Sequence, residues 1–349
     1  MNKYSNLRLR VIEPAPRQTK LMDALHECQR WGAKMGIPDV EALNEEVALG
    51  HAGHIIKLAE VWHERKIASV ADQIFARGAE GAVVVLLSGP SSSGKTTTSK
   101  RLALHLNVLG LKPVLISLDD YFVDRVKTPR DESGAYDFEA LEAVNVPLFN
   151  EQLAALLAGE SITPPRYDFI SGESLWHDYS LTLDKDSVLI VEGIHALNPA
   201  LAPNVDPAHL YKIYVSCLTS IALDERSRIS TSDNRLLRRL TRDYAQRGKD
   251  GVATLAQWAS VRRGEERHIF PFQEQADVVI NSSLLYEISV IKPFVENILR
   301  KVPSSSAEHC EAERLMEFLA NFSTIDSSDI PPTSLLREFI GGSSFKEEL

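Results

Sequence analysis

Along the middle of the chain the hydrophobic positions switch period repeatedly. Ala82-Val83-Val84-Val85-Leu86-Leu87 is apolar without alternation, as expected of a strand buried on both faces. Similar short runs predict strands over 113–118, 187–191, 210–216 and 277–281. Between them apolar residues recur every three or four positions, predicting helices over about 96–109, 147–158, 219–228, 234–246, 252–267 and 288–300. Strands alternating with helices define an α/β fold, an open parallel sheet with helices on both faces.

The flanks read differently. Leu21, Leu25, Cys28 and Trp31 follow helical spacing, Gly36-Ile37-Pro38 interrupts it, and the pattern resumes from Ile55 to Ala76. Residues 1–78 are therefore expected to form a helical extension, 79–302 the α/β domain, and 303–349 a second extension. The last would hold a helix from about Ala307 to Phe322, then Pro331-Pro332 and a Gly341-Gly342-Ser343-Ser344 tail. That tail either lies over the functional site or packs and frays as termini commonly do.

Composition narrows the class. A chain of 349 residues with 44% hydrophobic positions can bury a full core. The net charge of −10 argues against general nucleic-acid or membrane-surface binding. Cys28, Cys217 and Cys310 are far apart and form no CxxC pair, which suits a reducing compartment and supports no zinc site. No apolar run approaches the roughly 20 residues that cross a bilayer, so a cytoplasmic protein is expected.

Candidate chemistry gathers at the ends of the predicted strands, where open parallel sheets bind ligands. Gly89-Pro90-Ser91-Ser92-Ser93-Gly94-Lys95-Thr96 fits GxxxxGK[ST] and stands between a strand and a helix. A glycine-rich turn there aims backbone N–H groups and the positive helix end at an anion. Gly89, Ser91, Ser92, Ser93, Gly94 and Thr97 would line it, Lys95 would reach the outer phosphates, and the Thr96 hydroxyl would ligate Mg2+. Glu192, after Ile190-Val191, stands where a magnesium carboxylate is needed, directly or through water. Asp119, after the second strand, would accept a proton from an attacking hydroxyl or align it, and Asp120 is its neighbouring competitor. Asp119 is also close enough in the expected topology to contribute to the metal site.

Arg235, Arg238, Arg239 and Arg242 fall at i, i+3, i+4 and i+7, one stripe of a helix. A nucleotide phosphate is the natural counter-ion for such a row. The other reading is a solvated helix paired with Asp233, Asp243 and Asp250. Arg262-Arg263-Gly264-Glu265-Glu266-Arg267 has mixed sign and reads as a surface helix with internal pairs.

Together with Ser117-Leu118-Asp119-Asp120-Tyr121-Phe122, Tyr136-Asp137-Phe138-Glu139, Pro165-Arg166-Tyr167-Asp168-Phe169, Val191-Glu192-Gly193-Ile194 and Arg247-Gly248-Lys249-Asp250, these motifs resemble the ordered motifs of uridine/cytidine kinases. Those enzymes belong to the phosphoribulokinase/uridine kinase family, and the resemblance covers roughly residues 80–300. Thr128-Pro129-Arg130-Asp131, the segment Arg262–Phe272 and Arg337-Glu338-Phe339-Ile340-Gly341-Gly342 are similar to a bacterial subgroup often fused to TGS and threonyl-tRNA-synthetase-like domains. By that resemblance this is a kinase-only member or a piece of a longer chain.

The resemblance implies a P-loop kinase sheet of order 2-3-1-4-5, ATP and Mg2+, and an arginine-bearing lid at about 231–250. It assigns catalysis to Asp119, with Lys95, Arg238 and Arg242 around the moving phosphoryl group and Arg235 and Arg239 on the nucleotide. It places Asp137 on ribose hydroxyls, Tyr167 and Phe122 at the base pocket, and Glu192 with the metal. Phe122 and Tyr167 have core packing as their alternative, and Asp137 has a capping role. A base-reading histidine common in the pyrimidine kinases is replaced here by Gly172, with His177 as the nearby substitute. The implied acceptor is the 5′-hydroxyl of a pyrimidine nucleoside, with another sugar or polyol as runner-up. A nucleotide-dependent RNA-associated regulator is the reading from another class, disfavoured by the acidic charge. Homo-oligomers are common in the family.

Overall fold

The computed structural model describes residues 18–78, 83–132, 134–224 and 227–345. Residues 1–17 of the expected N-terminal extension, and Ala82 of the first expected strand, lie outside the described residues. Helices α1 (Thr19–Lys34), α2 (Val40–Ala48) and α3 (Ala52–Gly78) precede strand β1 (Val83–Ser88) and helix α4 (Lys95–Val108). Then come β2 (Lys112–Ser117), α5 (Val146–Leu157), β3 (Pro165–Asp168), β4 (Glu173–Trp176), β5 (Ser187–Glu192) and β6 (Leu210–Ser216). The chain continues through α6 (Thr231–Gln246), α7 (Gly251–His268), β7 (Val278–Asn281), α8 (Glu287–Leu299), α9 (His309–Ala320) and α10 (Arg337–Ile340).

Five parallel strands form one sheet in the order β2-β5-β1-β6-β7. Counting only these five along the chain gives 2-3-1-4-5, the expected order. Successive residues of each strand feed opposite faces. Val84, Leu86, Leu189, Val191 and Tyr214 pack toward Phe149, Leu153 and Leu156 of α5. Val85, Leu87, Val188, Ile190 and Ile213 pack toward Ile67, Val70 and Ile74 of α3 and Leu102 and Leu106 of α4. The sheet is covered on both sides, which is why its strands read as continuous apolar runs.

A third apolar cluster joins the two extensions. Leu43, Ile55 and Ile56 from the N-terminal helices meet Leu236, Leu237 and Leu240 of α6, Ile291 and Val295 of α8, and Leu315, Leu336 and Phe339 from the C-terminal part.

Three expectations need correction. Residues 219–224 and 227–228 are not helical: Ala222 N–H donates to Pro38 O at 3.1 Å while Val40 N–H donates to Ala222 O at 3.0 Å. Pairing with the chain before α2 satisfies that backbone, so tertiary contacts override the local pattern. The hairpin of β3 and β4, with Tyr167 opposite Ser174, was not expected, because Pro164-Pro165 masks its start. Arg262–Arg267 is not simply a surface segment: Arg262 does pair with Glu266 at 3.3 Å, but Glu265 is fully buried.

Candidate active site

Register sets the site. Ser117 of β2 and Leu87 of β1 both pair with Glu192 of β5, so the phosphate-type loop after β1, Asp119 after β2 and Glu192 all leave the same sheet edge. The loop of residues 89–94 is tightly built. A Cβ on Gly89 would lie 2.2 Å from Val215 O, and Gly94 has φ +85°, so both positions require glycine. Lys95 Nζ donates to Pro90 O at 3.3 Å across the loop.

Arginines of α6 hold this loop by its carbonyls. Arg235 Nε donates to Ser91 O at 2.9 Å, and Arg238 donates to Ser93 O at 3.3 Å and to Ser282 O at 2.8 Å. In a trans peptide the C=O and the following N–H point opposite ways. Fixing Ser91 O and Ser93 O on the arginine side therefore turns the amides of Ser92 and Gly94 away from it. Arg239 donates to Ser91 Oγ at 2.9 Å.

The stripe is neither a solvated face nor a row of free cations. Arg235 pairs with Glu265 of α7 and Arg238 with Glu287 of α8, all four groups being buried. Arg242 bonds Asp243 at 2.8 Å. Asp233 instead meets Arg314 at 2.9 Å, and Asp250 caps α7 through Ala253 N–H at 2.8 Å. The expected lid segment is thus a core helix over 231–246: Leu236, Leu237 and Leu240 are fully buried in the third apolar cluster.

The acidic end is compact. Thr96 Oγ1 and Ser117 Oγ both donate to Glu192 Oε1, at 3.2 and 3.1 Å. Burial first, and then the nearby charge of Asp119, push the Glu192 carboxyl well above the ordinary range, while Lys95 opposes the shift. Asp120 is pushed up to about 6, chiefly by burial, and accepts Tyr167 N–H at 3.4 Å. That contact gives Asp120 a place in supporting the hairpin. Among the described residues no group of three or more His, Cys, Asp or Glu could hold a metal ion. The Glu192 carboxylate beside the Thr96 hydroxyl, with Asp119 close by, still fits Mg2+, which takes one or two carboxylates and completes its shell with phosphate oxygens and water.

Beyond Asp119 lies an aromatic cluster. Phe122 is 5.5 Å from Tyr167 and 6.2 Å from Phe169 by ring centroids, and Phe138 closes it at 6.3 Å. Phe122 and Tyr167 are buried, whereas Phe138 and Phe169 keep an exposed edge. Arg247 lies over the Phe169 ring at 5.2 Å. Burial lowers its pKa to about 10, while Asp243 and Asp119 oppose the shift. Asp137 Oδ1 accepts Glu139 N–H at 3.1 Å, a bond within a turn and not the expected helix cap. His177 is three residues past the level of Tyr167 on β4's side of the hairpin, about 10 Å along it, and its ring rests on Tyr179. The structure does not bring His177 to the cluster. Instead Arg125 occupies the space over Gly172, its Cζ 2.7 Å from where a Cβ would stand, and donates to Phe169 O at 2.7 Å.

Several residues at the site escaped sequence reasoning. Glu265 and Glu287 had no local signal, since their partners lie 30 and 49 positions away. Glu139 is buried against Gly264 and pushed up to about 7 by burial and by Glu265. Glu338 of α10 accepts Thr97 N–H at 3.1 Å and Thr97 Oγ1–H at 2.6 Å, although its motif had been noticed.

A glycine-rich phosphate loop between β1 and α4 of a 2-3-1-4-5 sheet, facing two strand-end carboxylates, defines an α/β protein of the P-loop kinase type. Residues 84–289 match the phosphoribulokinase / uridine kinase family, and the chain belongs to that family. It is a phosphotransferase acting on an alcohol group. The uridine kinase of Staphylococcus aureus strain JH9 is 30% identical over 203 residues, covering 58% of this chain and 88% of that protein. Among solved structures, a possible uridine kinase from Bacillus stearothermophilus aligns at 20% identity with a TM-score of 0.44, covering 62% of this chain and 98% of that one. D-glycerate 3-kinase from Cryptococcus neoformans aligns at 16% identity with a TM-score of 0.30, covering 78% and 88%.

Proposed function

We propose that the chain transfers the γ-phosphoryl group of ATP, with Mg2+, to a hydroxyl of a small sugar-containing acceptor, most simply the 5′-hydroxyl of a pyrimidine nucleoside. The observation that carries this reading is the common sheet edge shared by Lys95, Thr96, Asp119 and Glu192, with the aromatic cluster of Phe122, Tyr167 and Phe169 beyond it. In this reading the amides of Ser92 and Gly94, with Lys95, bind the triphosphate. Thr96 and Glu192 hold Mg2+, which neutralises charge on the phosphates. Asp119 aligns the acceptor hydroxyl and takes its proton as the bond to phosphorus forms. Arg242 and Arg247 supply positive charge on the acceptor side, Asp137 the ribose contact, and the rings a flat surface for a base. Residues 79–302 would form the catalytic domain, and the N- and C-terminal extensions would support α6.

The family membership, the 30% identity to a protein named uridine kinase and the aromatic cluster favour a nucleoside over a simple polyol. The displacement of His177 and the presence of Arg125 leave the base contact to a cation rather than an imidazole. A panel of uridine, cytidine, purine nucleosides, pentoses and glycerate with Mg-ATP, followed by ADP release, tests the assignment. Turnover with uridine or cytidine at least tenfold above the sugars is expected. Turnover confined to a sugar or polyol would transfer the assignment to the runner-up.

A further inference from the structure

The amide at the start of α4 already has an anion. Glu338 places one carboxylate oxygen 3.1 Å from Thr97 N and 2.6 Å from Thr97 Oγ1, at the positive end of a 14-residue helix. An anion is favoured at such a terminus by both the free N–H groups and the aligned peptide dipoles. Thr97 directly follows the lysine and threonine that, in the proposed reading, hold the outer phosphates and Mg2+. In that reading its donors would face the inner phosphate.

The rest of the segment is anchored, so the carboxylate is presented and not merely adjacent. Leu335 and Phe339 are fully buried. The Leu335 side chain lies against Gly94, 2.7 Å from where a Cβ would be, and Arg238 stacks over the Phe339 ring at 4.9 Å. Gln246 of α6 donates to Glu338 O at 2.8 Å, and Arg337 donates to Ser327 O and Ile330 O, each at 2.8 Å. Glu338 itself is only partly covered, so its side chain can swing outward while Leu335 and Phe339 stay seated.

We propose that Glu338 is a built-in competitor for the inner phosphate of the nucleotide: its carboxylate occupies the Thr97 donors and must leave them when a triphosphate binds. This inference rests on the reading of the 89–97 loop as the nucleotide site. The C-terminal segment thereby sets nucleotide affinity, and a partner or modification that drew Glu338 away would raise it. A carboxylate cannot share Thr97 N–H with a phosphate oxygen without placing two anions in contact, so occupancy is exclusive.

Calorimetric titration of the full chain with Mg-AMPPNP, comparing wild type with Glu338→Gln and Glu338→Asp, tests this, with circular dichroism melting to establish that each variant is folded. The glutamine variant removes the charge, and the aspartate variant keeps the charge but is one methylene too short to reach Thr97. Both are expected to bind about tenfold more tightly, about 1.4 kcal/mol. Aspartate behaving as wild type would reduce the effect to general repulsion and overturn the competitor. Unchanged or weaker binding in both would also overturn it, the latter making Glu338 part of the nucleotide site. No binding by any folded variant, wild type included, would remove the nucleotide-site reading and the inference with it.

Discussion

Arg238 of α6 and Glu287 of α8 form a fully buried ion pair behind the phosphate loop, with the same guanidinium bonded to the carbonyl of Ser93. Glu287 also accepts from Asn234 and, at 3.2 Å, from Leu284 N–H, so the pair sits within a larger hydrogen-bonded group. Removing one member strands a charge that water cannot reach. Arg238→Met should destabilise the fold by about 3–5 kcal/mol, read by urea denaturation. Arg238→Met with Glu287→Leu should recover much of that loss yet bind nucleotide more weakly, because Ser93 O keeps only the Ser282 hydroxyl as donor once the guanidinium is gone. Full nucleotide affinity in the folded double variant would show that the loop holds its shape without Arg238.

Asp119 is only partly exposed and near enough to Glu192 to raise its pKa. Asp119→Asn keeps the shape and removes the base. A fall in kcat of at least about 100-fold, with nucleotide affinity within a few-fold of wild type, is expected from initial rates and equilibrium titration. Equal turnover in the variant would take Asp119 out of the chemistry.

Gly89 has no room for a methyl group, since Val215 O stands 2.2 Å from the Cβ position. Gly89→Ala must push the loop off β6, costing about 1–3 kcal/mol and misplacing the amides. The expected result is a lower Tm together with loss of measurable Mg-AMPPNP binding. Normal affinity would mean that the loop tolerates displacement.

Glu139 titrates in a direction that links stability to pH. Burial, with Glu265 adding to it, raises its folded pKa from an ordinary 4.5 to about 7. Between those values the folded state holds a proton that the unfolded state has released. Its contribution is therefore complete below about pH 4.5 and is lost as pH rises through 7. Glu139→Gln keeps a neutral side chain throughout, so its Tm should fall less than that of wild type between pH 4.5 and 8. The difference is on the order of 1–3 kcal/mol. Parallel Tm curves would place the Glu139 titration outside this range.

What could be read from the chain was what local rules dictate. The phosphate loop, the five parallel strands and the stripe of arginines follow from spacing alone, because periodicity and glycine chemistry act over a few residues. The partners of that stripe could not be read. Glu265 and Glu287 reach the arginines, and Glu338 reaches Thr97, through the third dimension, and a lone glutamate has no pattern that announces a partner far along the sequence. The same limit explains the error at 219–228, where pairing of Ala222 with residues 38–40 outweighs a weak helical period. It also explains His177, whose position depends on the register of a hairpin hidden by two prolines.

Leu236, Leu237 and Leu240 of α6 are covered by Leu43, Ile55 and Ile56 from one end of the chain and Leu336 and Phe339 from the other. A fragment trimmed to the family-matched stretch would carry that greasy surface into water and lose the scaffold beneath its own arginines. Trimming the protein at those boundaries is expected to lower its stability, because the helical ends are the wall against which α6 is mounted.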